Sequence, residues 1–496
     1  MRYSTHTIDL DWQSRNLNVL AQRSHLAKKK SVMLTVEKIG GTSMAALSAV
    51  IENIIFYNRT PENIYNRVFI VSAFAGVTDL LLENKKTGEP GIYHKISKHR
   101  DFHPHLQLLI RELKAINRRY VPLGLDLKAC DQFVENHIEK ATGYLENLVS
   151  VLSSGYVSKT GILQAAREIL ASIGESHSAF VLSNILVNRN LSVTRIDLGG
   201  FDDHDFLTID QRIKRAFKEV PLSRTLCVVT GYTKGTEGIM REFDRGYSEV
   251  TFSKIAEMLR PDEAIIHKEY HLSTADPAIV GEANCTPVGN TNYDIADQLA
   301  DVGMEAIHPA ASKPLEMKGI NLRIKNTFDP EHSGTLISKS YLCENKRIEM
   351  VTGTDKLIMI DIYDPLMVGN VGSDLKAMQI LAQQQVSYTF KTTSANSISV
   401  VIWEKDFHRS LLSELEKNFE KVSAEQVATV CLLGSNIDQP GLLAKSATAL
   451  TAAGINIKSA GFALRKVNIQ FILDREDYKP AIVALNRSSM REFGKY

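Results

Sequence analysis

The chain has 496 residues, of which 44% are apolar and 23% are charged, and this balance is typical of a soluble globular protein with roughly three domains. Its 58 Lys and Arg residues stand against 57 Asp and Glu residues, so the formal net charge of +1 predicts no electrostatic attraction to nucleic acid or to an anionic membrane. No apolar run approaches the ~20 residues that a transmembrane helix needs.

The N-terminal segment and the cysteines indicate the compartment. Residues 1–31 are mostly polar and lack the apolar core of a signal peptide, so we interpret them as an N-terminal extension. Asp9 and Asp11 argue against a transit peptide. The five cysteines are scattered without a CxxC pair, which leaves zinc ribbons and thioredoxin-like chemistry unsupported and predicts reduced thiols in a cytoplasmic protein.

Strands and helices alternate between residues 32 and 345. A β-branched strand begins at Val32 and stops at a Gly-Gly turn, and a helix is predicted over 45–57. A second buried strand over 68–76 leads into a helix that Thr78 is placed to cap. Residues 84–160 are charged and mostly helical in pattern, and further helices are predicted over 162–187 and 292–302. Further strands are predicted over 191–197, 225–231, 262–268 and 319–326. This alternation favours a parallel sheet in a three-layer α/β sandwich.

The pattern changes after residue 345 and then repeats. Strand, helix, strand and strand follow one another over 357–364, 373–384, 386–393 and 397–404. The same order recurs over 428–435, 440–453, 455–462 and 467–474. The recurrence predicts an internal duplication of an α+β module of about 70 residues.

The exit of the first strand carries the first chemical signal. No Walker A sequence and no GxGxxG turn are present; instead Lys38 precedes Gly40, Gly41 and Thr42. Two glycines let backbone amides approach an anion, the following helix start favours negative charge, and the lysine supplies a point charge. The pattern predicts a phosphate site, with an ordinary strand-to-helix turn as the alternative.

Six segments, in order along the chain, resemble the signature motifs of aspartokinases in the amino-acid kinase superfamily. They are EKIGGTSM, SAFAGVTDLL, SIGE, VTGYTKG, HPAASKP and IKNTFDPEHSGTLI. The resemblance spans residues 32–490, and the duplicated C-terminal unit corresponds to the family's paired ACT domains. It therefore implies a catalytic sandwich of the amino-acid kinase type over 32–345, a first ACT domain over 346–424 and a second over 425–496.

The resemblance implies transfer of the γ-phosphoryl group of ATP, with Mg²⁺, to the β-carboxylate of L-aspartate. The product would be 4-phospho-L-aspartate, at the start of lysine, threonine, methionine or ectoine biosynthesis. A carboxylate with a pKa of about 3.9 is already ionised at neutral pH, so this chemistry needs positioning and charge neutralisation rather than a general base.

Residue by residue, the resemblance implies three sets of site residues. ATP would contact Lys38, Gly40, Gly41, Thr42, Lys268 and Glu269. Aspartate would contact Thr78, Glu175, Arg245 and Ser248. Lys38 and Glu249 would be catalytic, and Mg²⁺ would travel on the nucleotide phosphates with no dedicated protein ligands. The alternatives are that Thr78 is only a helix cap, Glu175 a solvated helix charge and Arg245 a surface arginine.

The chain departs from the family pattern in three places. The family's L-G-R-G-G-S-D reads FDRGYSE over 243–249, so Tyr247 replaces a glycine and Glu249 is one methylene longer than the usual aspartate. Lys268 and Glu269 replace a T-D pair, and Glu305 replaces a lysine. These departures, with the N-terminal extension, resemble the divergent aspartokinase branch associated with ectoine biosynthesis.

Two other hypotheses remain at this stage. One is a superfamily kinase that acts on glutamate, acetylglutamate, carbamate or UMP, and the other is a catalytically silent amino-acid sensor that uses only the ACT pair. The histidines at 94, 99, 103 and 105 are interpreted as a solvated surface rather than a metal site.

The ACT pair predicts an amino-acid effector and a homodimer or larger homo-oligomer, because ACT sheets leave edges open. In lysine-sensitive aspartokinases a segment resembling S-V-D-L-I-T-T-S offers an aspartate to the effector. Here Thr389 replaces that aspartate and Lys391 follows, which predicts weak or absent inhibition by lysine. The alternative is that the effector binds in a shifted register or uses Asp374.

Overall fold

A computed structural model describes residues 33–84, 87–243, 246–304, 306–462 and 467–490. The predicted N-terminal extension, residues 1–31, lies outside the described residues. Within the described ranges, fourteen strands form two sheets.

The first sheet has eight strands and lies between residues 35 and 337. They are β1 Thr35–Ile39, β2 Arg67–Val71, β3 Val193–Ile196, β4 Leu226–Thr230, β5 Glu263–Lys268, β6 Asn290–Thr291, β7 Leu322–Asn326 and β8 Thr335–Ile337. Their order is β3-β4-β2-β1-β5-β7-β8-β6, and neighbours from β3 to β7 are parallel. Every residue of β2 and β4 is buried, as expected for central strands covered on both faces. The predicted parallel α/β sandwich is confirmed.

Helices connect and cover these strands. They are α1 Gly41–Ala45, α2 Leu47–Ala49, α3 Val77–Leu81, α4 Ile92–Ser97, α5 His103–Tyr120, α6 Leu127–Ser154, α7 Lys159–Asn188, α8 Ile209–Ala216, α9 Ile239–Phe243, α10 Tyr247–Leu259, α11 Pro277–Val280, α12 Tyr293–Asp301 and α13 Pro309–Lys318. Among the described residues, α7 passes a length and composition test for a membrane span, but 83% of its most apolar window is buried inside the protein. It is therefore the central helix of the sandwich, packed on β3 and β4.

The helix predicted over 45–57 is wrong in its start and in its type. Helical structure begins at Gly41, breaks at Ala46 and continues as a π-helix over Val50–Phe56. The Arg67 guanidinium donates to the carbonyl oxygens of Ile54 and Ile55 at 2.8 and 3.0 Å. These hydrogen bonds satisfy backbone acceptors in the widened turn, a contact that local sequence does not reveal.

The second sheet contains six antiparallel strands in the order β10-β11-β9-β12-β14-β13. The strands are β9 Met350–Tyr363, β10 Tyr388–Thr393, β11 Ser397–Trp403, β12 Lys421–Leu433, β13 Ile457–Phe462 and β14 Asn468–Asp474. The helices that pack with them are α14 Ser373–Gln383, α15 Arg409–Glu416, α16 Leu442–Ala452 and α17 Tyr478–Met490. The two repeats therefore have the predicted element order.

The long strands β9 and β12 join the two repeats into one sheet. The second half of β9 pairs with β11 and with the first half of β12, whereas the first half of β9 pairs with the second half of β12. Two large apolar cores result, one containing Ile360 and Leu381 and the other containing Val351 and Phe471, and a third, smaller cluster contains Leu357. Since β12 crosses residue 425 and Val351 belongs to the second core, the limits 346–424 and 425–496 stay a prediction.

Candidate active site

The carboxyl ends of four parallel strands meet at one edge of the eight-stranded sheet. Lys38 lies near the end of β1 and Lys268 ends β5, while Ser72 and Gly231 follow β2 and β4. Parallel strands present their carboxyl ends at the same edge, which is where open α/β sheets bind ligands. Four segments that are distant in sequence therefore converge on one cleft.

Lys38 and Glu249 form an ion pair in this cleft. The Lys38 Nζ lies 3.4 Å from the Glu249 Oε1, and the side chains are only 12% and 15% exposed. The other oxygen, Oε2, accepts a hydrogen bond from the His308 N–H at 2.6 Å. Burial raises the pKa of Glu249, but Lys38, Lys268 and the His308 N–H outweigh burial and leave the pKa below its usual value. Glu249 is therefore an anion that holds Lys38 in place.

The glycine turn brings backbone close to this pair. Gly40 is the N-cap residue of α1, and its N–H points to the His267 carbonyl oxygen at 3.4 Å. A Cβ on Gly41 would lie 2.7 Å from the Ala73 carbonyl oxygen, which no side chain tolerates without a shift. Thr42 is exposed in the first turn of α1. The turn therefore requires glycine at 41 and leaves the helix start open to a ligand.

A buried charge network lies one residue behind Lys38. Glu37 accepts hydrogen bonds from Arg67 Nε at 2.7 Å and pairs with His267 Nε2 at 2.8 Å. Burial raises the pKa of Glu37, but Arg67 and His267 outweigh it and hold the pKa well below its usual value. The network ties β1 to β2 and β5 and so fixes the strand ends that carry Lys38 and Lys268.

Glu175 supplies a second carboxylate, from the middle of α7. It is 2% exposed, and its Oε1 accepts a hydrogen bond from the Tyr247 hydroxyl at 2.8 Å. Its Oε2 has no hydrogen-bond partner among the described residues. Burial raises the pKa of Glu175 to about 7, even though the Tyr247 hydroxyl and Lys38 both act to lower it. The interpretation of Glu175 as a solvated helix charge is wrong, since the carboxyl group is enclosed.

Thr78 and Ser248 lie around the same carboxyl group. The prediction that Thr78 caps a helix is wrong, because Gly76, with φ of 85°, is the N-cap residue and Thr78 sits in the first turn of α3. The side chain of Thr78 instead lies near Tyr247, where burial raises the pKa of the hydroxyl and Thr78 acts to lower it. Ser248 is buried, and its hydroxyl lies 3.5 Å from that of Ser72.

Of the remaining predicted residues, the structure describes Lys268 and Glu269. Lys268 is partly buried and its charge acts on Glu249, whereas Glu269 is exposed directly after β5. Arg245 lies outside the described residues, as does Glu305. The predicted contacts of Arg245 with substrate therefore stay a prediction.

Four contacting residues were missed by sequence reasoning: Ser72, Gly231, Tyr247 and His308. A Cβ on Gly231 would lie 2.8 Å from the Val71 carbonyl oxygen and 2.9 Å from Ser248 Cβ, so glycine allows β4 to approach the site. All four lie inside quoted segments, but the motif comparison assigned none of them a contact and treated Tyr247 only as a lost glycine. His308 contributes a backbone N–H, which no side-chain pattern indicates.

The histidine segment and the cysteines lie away from this chemistry. His103 is half exposed and hydrogen-bonds to Asp101 and Glu146 at 2.9 and 2.8 Å. Within the described ranges, no three His, Cys, Asp or Glu side chains are grouped as metal ligands. All five cysteines are free thiols, and four of them are buried.

The predicted effector segment forms β10 and contains an internal ion pair. The Lys391 Nζ lies 2.7 and 2.8 Å from the two carboxylate oxygens of Asp374, at the start of α14. The Thr389 hydroxyl points to the Val401 carbonyl oxygen at 3.4 Å. The acidic group that could receive an effector's ammonium is thus already paired with an ammonium of the chain itself.

Comparison with known proteins places the chain in a family. The amino acid kinase family model matches residues 33–326. The aspartate kinase Ask_Ect of Stutzerimonas stutzeri is 39% identical over 92% of this chain and 97% of its own length. Aspartokinase 1, chloroplastic, of Arabidopsis thaliana is 24% identical over 94% of this chain and 83% of its own length. The structure of aspartokinase III of E. coli in complex with aspartate and ADP superimposes with a TM-score of 0.69, at 20% identity, over 92% of this chain and all of that one.

Proposed function

Because the chain belongs to the amino acid kinase family and, within it, to the aspartate kinases, we propose that the cleft around Lys38 and Glu175 binds ATP and L-aspartate. The reaction transfers the γ-phosphoryl group of ATP to the β-carboxylate of aspartate and gives 4-phospho-L-aspartate. The comparisons support the activity, and the assignment of individual residues is our proposal.

The phosphate half of the cleft supplies charge neutralisation. Lys38 contacts the transferring phosphoryl group, and Glu249 fixes its ammonium from the other side at 3.4 Å. The backbone at Gly40 and Gly41 approaches the phosphates, and Lys268 adds a second cation. An ionised acceptor needs no general base, so fixed cations and amides are sufficient machinery for this reaction.

The acceptor half is carried by one observation, the unpartnered Oε2 of Glu175. A buried carboxylate oxygen without a donor is costly, and the α-ammonium of aspartate would supply the missing hydrogen bond. Thr78 and Ser248 lie beside it and would contact the same substrate. Arg245 would bind an aspartate carboxylate through both arms of its guanidinium.

We propose that Mg²⁺ enters with the nucleotide. Both oxygens of Glu249 are engaged, by Lys38 and by the His308 N–H, so this carboxylate is poorly placed to be a metal ligand. Magnesium keeps several waters and favours phosphate oxygens, which fits a site of lysines and amides. When bound, it adds positive charge to the phosphates.

The biological setting is also a proposal. Identity of 39% to Ask_Ect, against 24% to the plant enzyme, together with the motif departures, supports the ectoine-associated branch. The paired repeats support amino-acid regulation and a homo-oligomer, and the exposed apolar side chains of Leu366, Val368 and Val371 would be covered by a second copy. A cytoplasmic location remains a prediction.

A coupled assay of ADP release with aspartate, with glutamate and with no acceptor tests the proposal. We expect aspartate-dependent turnover that Glu175→Gln reduces at least tenfold, since the neutral amide cannot pair with the α-ammonium. Equal rates with glutamate would favour another kinase of the superfamily, and no acceptor-dependent release would favour an amino-acid sensor.

A further inference from the structure

We propose that Tyr247 is a positioning residue for the acceptor: its hydroxyl engages the Glu175 Oε1 and thereby leaves the Oε2 directed to the substrate ammonium. The inference rests on the proposed role of Glu175. It concerns a side chain that the family pattern does not contain, because that pattern has glycine at this position.

The contacts of Tyr247 show a side chain built into the site. It is 3% exposed, and its hydroxyl lies 2.8 Å from Glu175 Oε1. The Thr78 side chain acts on the same hydroxyl and opposes the rise of its pKa on burial, so Tyr247 lies between two of the proposed acceptor contacts. The ring packs edge-on against Tyr232, with centroids 6.0 Å apart, which restricts its rotation.

The position of Tyr247 in α10 couples it to the phosphate half. Tyr247, Ser248 and Glu249 are consecutive in the first turn of this helix. They contact Glu175, Ser72 and Lys38 respectively. One helical turn therefore contacts residues that we propose for both halves of the site, and the contact of its tyrosine is with Glu175 on the acceptor side.

Without the Tyr247 hydroxyl, the Glu175 carboxyl group would rotate more freely and would be ionised less readily. The terminal torsion of a glutamate is broad, so a hydrogen bond to one oxygen is what determines where the other oxygen points. A hydroxyl donor also favours the ionised form, which the ammonium of an amino acid needs. Removing the hydroxyl therefore weakens acceptor binding in two ways.

The groups that face Glu175 are few within the described ranges. Tyr247 contacts it from α10, Tyr232 faces it from the segment after β4, and Lys38 acts from β1. The backbone amide of Ala73, after β2, also acts on the carboxyl group. None of these side chains has an ordinary pKa near 7, whereas burial raises the pKa of Glu175 to about 7, so we expect a titration near that pH to report on Glu175.

Tyr247→Phe tests the inference, with Tyr232→Phe as the matched control. Tyr232 is equally buried, but its hydroxyl donates to Glu168 at 2.8 Å and not to Glu175. The KM for aspartate and the KM for ATP are measured from pH 6 to pH 9 with Mg²⁺ in excess. Because ATP is common to every variant, its own titration cancels in the comparison.

We expect the wild-type KM for aspartate to fall as the pH rises through about 7, where Glu175 ionises. In Tyr247→Phe that midpoint moves up by roughly one pH unit, and the KM for aspartate at neutral pH rises about tenfold. The KM for ATP and the Tyr232→Phe midpoint stay at wild-type values. In Tyr247→Phe, high pH restores the part of acceptor binding that is lost through protonation of Glu175.

A folded Tyr247→Phe protein with the wild-type midpoint would overturn the inference, as would an equal rise of both KM values. Failure of the proposed function would give a different result from failure of this inference, because the wild-type enzyme would then show no aspartate-dependent ADP release. Glu175→Gln supplies the remaining comparison: it removes the pH dependence around 7 whether or not Tyr247 has the proposed role.

Discussion

Replacing Lys38 by methionine removes the cation that we propose contacts the transferring phosphoryl group. Methionine keeps the length and apolar character of the lysine stem, so the change is mainly one of charge. The Lys38 side chain is 12% exposed and its Nζ lies 3.4 Å from the Glu249 Oε1, which means that little water is present to take over the role of the ammonium. One fixed donor at a developing charge contributes ~2.7–4 kcal/mol, so kcat should fall by ~10²–10³.

The same change has a separate cost in stability. Glu249 loses one of the two lysines that act on it and keeps the His308 N–H and the charge of Lys268. An under-satisfied charged group of this kind costs about 1–3 kcal/mol of unfolding free energy. Lys38→Met with Glu249→Gln should recover most of that stability, because the neutral amide needs no cation, but none of the activity.

The assay is ADP release at saturating ATP and aspartate, run beside thermal unfolding. Lys417→Met is the matched control, since that lysine is 69% exposed at the end of α15 and pairs with Glu414. Retention of more than a tenth of wild-type kcat in Lys38→Met would refute the assignment of Lys38 to the phosphate site. A loss of activity that the unfolding curve fully explains would refute it equally.

Three further changes test other parts of the molecule. Arg245→Lys keeps the charge but loses the paired donors, so the KM for aspartate should rise more than tenfold while that for ATP changes little; parallel shifts would assign Arg245 to the nucleotide or to structure. Gly41→Ala places a Cβ 2.7 Å from a backbone carbonyl oxygen and should lower stability by ~1–3 kcal/mol and raise the KM for ATP, whereas unchanged melting would show that the turn can relax. Lysine should inhibit initial rates only above about a millimolar, because Lys391 already pairs with Asp374; stronger inhibition would contradict this. If lysine proves ineffective, Thr389→Asp should restore lysine binding by calorimetry, since it provides a carboxylate that is not yet paired.

The sequence by itself determined the family, the fold class and most element types. Alternating apolar runs and Gly-containing turns are local signals, and the six ordered motifs align nearly the whole chain with the family pattern. The phosphate turn at Lys38, Gly40 and Gly41 was also visible, because a strand, a glycine turn and a helix start are adjacent in sequence.

The pairing of distant elements was decided only by the tertiary structure. The repeats predicted two separate modules, yet β9 and β12 pair along almost their full length, so each repeat shares its central strands with the other. The π-helix over Val50–Phe56 depends on Arg67, which follows in β2. A local pattern contains no information about a donor that arrives from another strand.

The candidate site shows the same division. Glu175 and Tyr247 are 72 positions apart, and the enclosure of their contact is what raises the pKa of Glu175 to about 7. A residue's type determines which hydrogen bonds it can make, and motif position indicated that Glu175 belongs to the site. Packing among α3, α7 and α10 decides which oxygen of Glu175 is hydrogen-bonded, which one stays unpartnered and how far water is excluded. Burial and charge are properties of the assembled cleft and not of a local sequence.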